Sequence, residues 1–113
     1  MNSEKQKRRD AETLINACLE YNEQLEISDN EQYIRALINT LPYVIENKLT
    51  KKQRTVLKML FWDKVPISDI AALCGVSQPT ISNHYKAAIE TLKAEMEIAD
   101  AAIRNYIKLG ERD

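Results

Sequence analysis

The chain has 113 residues, 44% of them hydrophobic and 29% charged, with a formal net charge of −1. That length suits one core with helical additions and excludes a catalytic domain joined to a second folded unit; the composition excludes disorder. Two Gly, three Pro, one Phe and one Trp leave few turn signals and little sheet-forming material, so the expected fold class is all-α.

The first predicted helix covers residues 4–27, with Leu14, Cys18, Tyr21 and Leu25 recurring at helical spacing. Ser28 followed by Glu31 reads as a capping box that opens a second helix, whose face carries Ile34, Leu37, Ile38 and Leu41. Pro42 removes an amide, so the helix is expected to kink or stop there, with Tyr43, Val44 and Ile45 continuing the apolar face. Thr50 with Gln53 forms another capping box, and Val56, Leu57, Leu60 and Phe61 face inward from the helix it opens, which ends near Asp63. Pro66 is placed to start a helix over residues 67–74, and Gly75 to end it in a left-handed conformation. Ser77 caps the last helix, with Pro79 tolerated in its first turn. From there to Gly110 no breaker occurs. Tyr85, Ile89, Leu92, Met96, Ala99, Ile103 and Tyr106 repeat at alternating steps of four and three, the pattern of a coiled-coil seam.

Charge divides the chain into three parts. Residues 1–47 hold five basic and nine acidic side chains (−4), residues 48–93 eight and three (+5), and residues 94–113 three and five (−2). The expected organisation follows these spans: an N-terminal helical region for interaction or dimerisation, a central module, and a C-terminal helix extension. A basic island of this kind is what phosphate binding asks for, whatever the net charge. No window approaches the roughly 18 apolar residues of a membrane span, and the charged N-terminal stretch lacks an apolar signal core. No membrane partner is expected, and the expected location is the cytoplasm. Cys18 and Cys74 lack CxxC spacing and read as small core residues. His84 is the only His, so neither a metal nor another cofactor is expected. No nucleophile–base pair or Gly-rich phosphate loop is visible, and no catalytic residue is assigned.

Two short helices joined by a Gly-containing turn form a helix-turn-helix. The first helix must approach the second closely, which needs the small Ala71. The turn needs a positive φ, which Gly75 supplies. Val76 follows, and Ile81 anchors the second helix inward. All four together, with a cap and basic flanks, point to double-stranded DNA as the partner of residues 49–93. Base edges are read from the N-terminal end of the second helix, residues 77–93. Gln78, Ser82 and Asn83, with Lys86, are the candidates for base readout, since Asn and Gln suit bidentate bonds to adenine. Lys51, Lys52, Arg54 and Thr80 are candidates for phosphate contacts, which position without specifying. His84, on the inner half of the helix, reads as packed or at the groove edge, and Phe61 and Trp62 as core or interface.

The stretch from Leu49-Thr50-Lys51-Lys52-Gln53 to Leu57, then Ile70-Ala71, Leu73-Cys74-Gly75-Val76-Ser77 and Leu92, resembles region 4 of bacterial sigma factors. Thr80-Ile81-Ser82-Asn83-His84 is similar to the recognition helix of LuxR-type regulators; the step from Val56 to Ile70 fits the sigma spacing better. The resemblance covers about 45 residues. It implies a four-helix DNA-binding fold in a bacterial or phage transcription regulator whose second helix enters the major groove. Gln78, Ser82 and Asn83 stand where sigma factors often place Arg or Lys, which implies fewer phosphate contacts. The length leaves no room for a promoter-melting domain, and no LuxR-type receiver precedes the module, so the likeness is to small sigma-like regulators of phages and mobile elements. The terminal seam has two readings: folding back on the N-terminal helices, or pairing with a second copy, the preferred one. RNA polymerase is a second candidate partner, met by the acidic N-terminal helices.

Overall fold

The computed structural model describes residues 4–19 and 31–110. Among these the chain is all-α, with no strand: α1 (Glu4–Leu19), α2 (Glu31–Lys48), α3 (Lys51–Leu57), α4 (Ile67–Cys74) and α5 (Gln78–Gly110). A π-helical turn, Lys58–Trp62, continues α3. The expected extension of the first helix to residue 27 and the capping box begun by Ser28 lie outside the described residues. No helix among those described is long and apolar enough to cross a membrane.

α5 organises the rest. Its 33 residues make a rod of about 50 Å at 1.5 Å per residue, which accounts for the 58 Å long dimension of the molecule. Ala88, Leu92 and Met96 are fully buried against Leu14, Ile15 and Cys18 of α1, Tyr33, Leu37, Leu41 and Val44 of α2, and Leu49 and Leu57 around α3. Each such Leu or Met side chain contributes about 1.5–3 kcal/mol by leaving water. The seam expected to pair with a second copy is therefore covered by the chain's own N-terminal helices. Its last expected member, Tyr106, is exposed, and Ile107 packs inward in its place. A straight helix turns once per 3.6 residues, so its buried face drifts off a strict seven-residue repeat within a few turns.

The buried face of α2 is Tyr33, Leu37, Leu41 and Val44, with Ile34, Ile38 and Ile45 half-buried beside it. It is rotated from the expected stripe because Tyr33 has a polar partner on α5 that no apolar pattern reveals. Pro42 does not end the helix; it lies exposed within it, and burial of Leu41 and Val44 on either side carries the helix past the lost amide. Tyr43 points outward and is exposed.

The partner of Tyr33 is Asp100, a carboxylate only 4% exposed. The Tyr33 hydroxyl donates to Asp100 Oδ1. Arg104 Nε donates to the same oxygen at 3.0 Å, and Arg104 Nη2 to the Tyr33 hydroxyl at 3.3 Å. The guanidinium also lies 4.8 Å from the Tyr33 ring centroid. Burial, then donation to the carboxylate, pushes the Tyr33 phenol up to about 12. At the start of α2, Glu31 accepts from Arg8 at 2.7 Å, which lowers the pKa of the exposed carboxylate.

A second, smaller core joins Val56, Ile70, Ala71 and Ile81, with Met59, Leu60, Val65 and Ile67 packed around it. Tyr85 belongs to both cores and ties them together, and burial raises its phenol. This second core holds α3, α4 and the first turns of α5 in fixed relation.

Candidate nucleic-acid interface

The first edge of the site is the start of α3. Thr50 adopts an extended N-cap conformation; its hydroxyl accepts from the Gln53 amide at 3.2 Å, and the Gln53 side chain accepts from the Thr50 amide at 3.0 Å. This reciprocal pair satisfies two amides that the helix leaves open. Lys51 and Lys52 follow directly and are both exposed.

The second edge is the turn between α4 and α5. α4 ends at Gly75, whose φ of 67° is left-handed, and the Val76 amide donates to the Ala71 carbonyl at 3.0 Å. Nothing lies within 4 Å of where a Cβ would stand on Gly75, so the backbone alone calls for Gly here. Ala71 is buried and lets α4 approach α5. Ser77 then opens α5: its hydroxyl accepts from the Thr80 amide at 3.3 Å and shares a 2.8 Å hydrogen bond with the Thr80 hydroxyl.

Beyond this cap α5 turns Ile81 and Ala88 inward. At 3.6 residues per turn Ser82, Lys86 and Asn83 stand about 100°, 140° and 200° round the helix from Ile81, and Gln78 about 60° from it. Gln78, Asn83 and Lys86 are exposed and Ser82 is half-buried. Ser82, Asn83 and Lys86 thus share an outward face, with Gln78 at its margin. Among the expected phosphate contacts, Thr80 lies with Lys51 and Lys52 on a groove of about 450 Å³ between α3 and α5. Arg54 is placed differently. Its Nη1 donates to the carbonyls of Glu46 at 3.1 Å and Leu49 at 3.0 Å, bracing the α2–α3 turn.

The groove is also lined by Thr55, Cys74 and Val76, not assigned to the site from the sequence, and by His84. Thr55 stands one turn after Lys51, and His84 one turn after Thr80, so helical spacing from the assigned residues was the available signal. Cys74 is a correction: it is exposed, not core, because it is the last residue of α4 and the helix is anchored earlier, by Ile70 and Ala71. Leu73 beside it is exposed too. Cys18 is buried, as expected.

The close pairing of α4 with a capped, outward-facing helix across a Gly turn defines a helix-turn-helix of the DNA-binding class. Residues 47–94 match the family model described as Sigma-70, region 4, and this part of the chain is a sigma region 4-like helix-turn-helix domain. Domains of this family are DNA-binding regulatory domains that also engage RNA polymerase. No curated protein and no solved structure matches the chain.

Proposed function

We propose that the protein is a sequence-specific, double-stranded DNA-binding transcriptional regulator of bacterial or phage type, working in the cytoplasm. The observation that carries this reading is the outward face of Ser82, Asn83 and Lys86, with exposed Gln78 at its margin, at the capped start of α5, beside exposed Lys51 and Lys52. In the major groove that face meets base edges, while the Thr80, Lys51 and Lys52 side receives the phosphate backbone. The domain assignment goes with it: residues 48–93 read DNA, while residues 1–47 and 94–113 set the orientation of the reading helix and engage partners.

Selection of bound duplexes from a random pool, followed by anisotropy titration, tests the proposal. A defined element is expected, with Gln78→Ala and Asn83→Ala each losing about 1–3 kcal/mol of discrimination at one position. Lys51→Ala or Lys52→Ala weakens all sequences alike and lowers the salt slope by about one. Failure to bind any duplex even at low salt refutes the reading.

A second reading, docking on RNA polymerase, is favoured by a cleft of about 900 Å³ lined by Ile38, Pro42, Ile45 and Trp62 together with charged residues of both signs, among them Arg35, Lys58, Glu46 and Asp63. Pull-down of polymerase with and without DNA separates the two readings.

A further inference from the structure

Among the described residues, no element covers the side of α5 turned away from the core over its last turns. From residue 98 to residue 107 its exposed positions are Ile98, Ala101, Ala102, Asn105 and Tyr106, none of them charged, and Leu109 follows. Ile98 is 65% exposed and Leu109 62%. Ile98, Ala102, Asn105 and Leu109 succeed one another at steps of four, three and four, a narrow seam along one side of the helix. It is not the seam that packs on α1 and α2. It lies nearly opposite.

We infer that this stripe is a self-association surface on which a second copy of the chain packs its own α5 antiparallel. The stripe is self-complementary in that sense. Reversing the helix sets Ile98 of one copy against Leu109 of the other, an apolar layer at each end, with Ala102 against Asn105 between them. The flanks agree with it. Glu97 and Lys108 lie on the same side of the stripe, and antiparallel two-fold pairing brings like sides together. Glu97 of each copy then falls within about two residues, roughly 3 Å along the axis, of Lys108 of the other. A parallel pairing would instead bring unlike sides together and leave the Glu97 and Lys108 of the two copies on opposite sides of the interface, without this pair. The small Ala side chains allow close approach of the two backbones.

The seam is about 16 Å long, four layers, well short of the three or more heptads of a stable coiled coil. Association is therefore weak and concentration-dependent. In a straight antiparallel pair the two Ser82 positions stand roughly 65 Å apart, beyond the 34–36 Å between adjacent half-sites. On the DNA-binding reading above, such a pair holds two separate elements.

Sedimentation equilibrium of the full chain without DNA tests the inference independently of DNA binding. The expected result is a weight-average mass that rises from 13.0 kDa toward twice that value as concentration increases from about 10 μM to 1 mM. Ile98→Glu or Leu109→Glu, both at exposed positions that leave the fold intact by circular dichroism, should weaken association at least about tenfold. Glu97→Lys and Lys108→Glu should each weaken it, and the double exchange should restore it. A chain that stays monomeric throughout overturns the inference and leaves the stripe to a different partner. Dimers insensitive to the substitutions at 98 and 109 overturn it too, and failure of the double exchange to rescue overturns the antiparallel register.

Discussion

Asp100→Ala is the most informative single change for stability. The carboxylate accepts from Tyr33 and Arg104 and is almost wholly out of water. Removing it acts unequally on the two donors. The Arg104 side chain is 36% exposed and recovers much of its loss from solvent. The Tyr33 hydroxyl is buried and loses its carboxylate acceptor while keeping its contact with Arg104 Nη2. Losing a buried hydrogen bond to a carboxylate costs about 1–3 kcal/mol, a small cavity adds to that, and release of the buried charge offsets part of the total. The expected net loss is about 2 kcal/mol, or roughly 10 °C in melting temperature for a chain of this size. Tyr33→Phe should cost about 1–2 kcal/mol, and the double substitution little more than Asp100→Ala alone, because the two groups share one interaction. Urea unfolding followed by circular dichroism gives all three values, with an unchanged m. A loss below about 0.5 kcal/mol for Asp100→Ala, or additive losses in the double variant, would refute the account of this cluster.

Alkaline pH probes the same cluster from the other side. The Tyr33 phenol is raised to about 12 from an ordinary value near 10, so its contribution is intact below pH 10 and lost as pH rises toward 12. Stability measured by urea at stepped pH should fall over that window by up to about 2–3 kcal/mol, and Tyr33→Phe should remove its share of the fall. Gly75→Ala should destabilise by about 1–2 kcal/mol through backbone strain alone, since the added methyl meets nothing; thermal melts read this directly. Thr50→Ala should cost about 1 kcal/mol by undoing the α3 cap, again by melting. A thiol reagent should label Cys74 in the native chain and Cys18 only after denaturant is added, a difference that mass spectrometry resolves.

What could be read in the sequence was local. The caps at Thr50 and Ser77 and the stop at Gly75 act over three or four residues, so their side chains announce themselves to anyone scanning in order. The bounds of α4 and the start of α5 followed from them, and so did the exposure of Gln78, Asn83 and Lys86. What could not be read depends on partners far along the chain. Tyr33 and Asp100 are 67 residues apart, and an acid in an apolar repeat looks like an interruption until its donor is placed. The choice between covering the α5 seam from within and pairing it between copies rested on where α1 and α2 pack, which periodicity alone leaves open. Cys74 was misplaced for a similar reason: residue type favours burial, but position at the tip of α4 decides. The π-helical turn at Lys58–Trp62 had no sequence signal that was used.

One unbroken helix carries the side chains proposed to meet DNA at one end and the Asp100 cluster at the other. Between Pro79 and Gly110 it contains no Gly or Pro, and so no joint where a change of direction could be absorbed. The attitude of the reading edge is consequently set both by the small core around Ile81 and by packing fifteen or more residues away. A substitution under α1 or α2 that tilts the rod is magnified at the groove as a lever magnifies a small movement at its pivot. Replacing Gln78 or Asn83 leaves that pivot untouched. Target preference can thus drift freely at the tip of the rod, while the angle of presentation stays under the control of the interior.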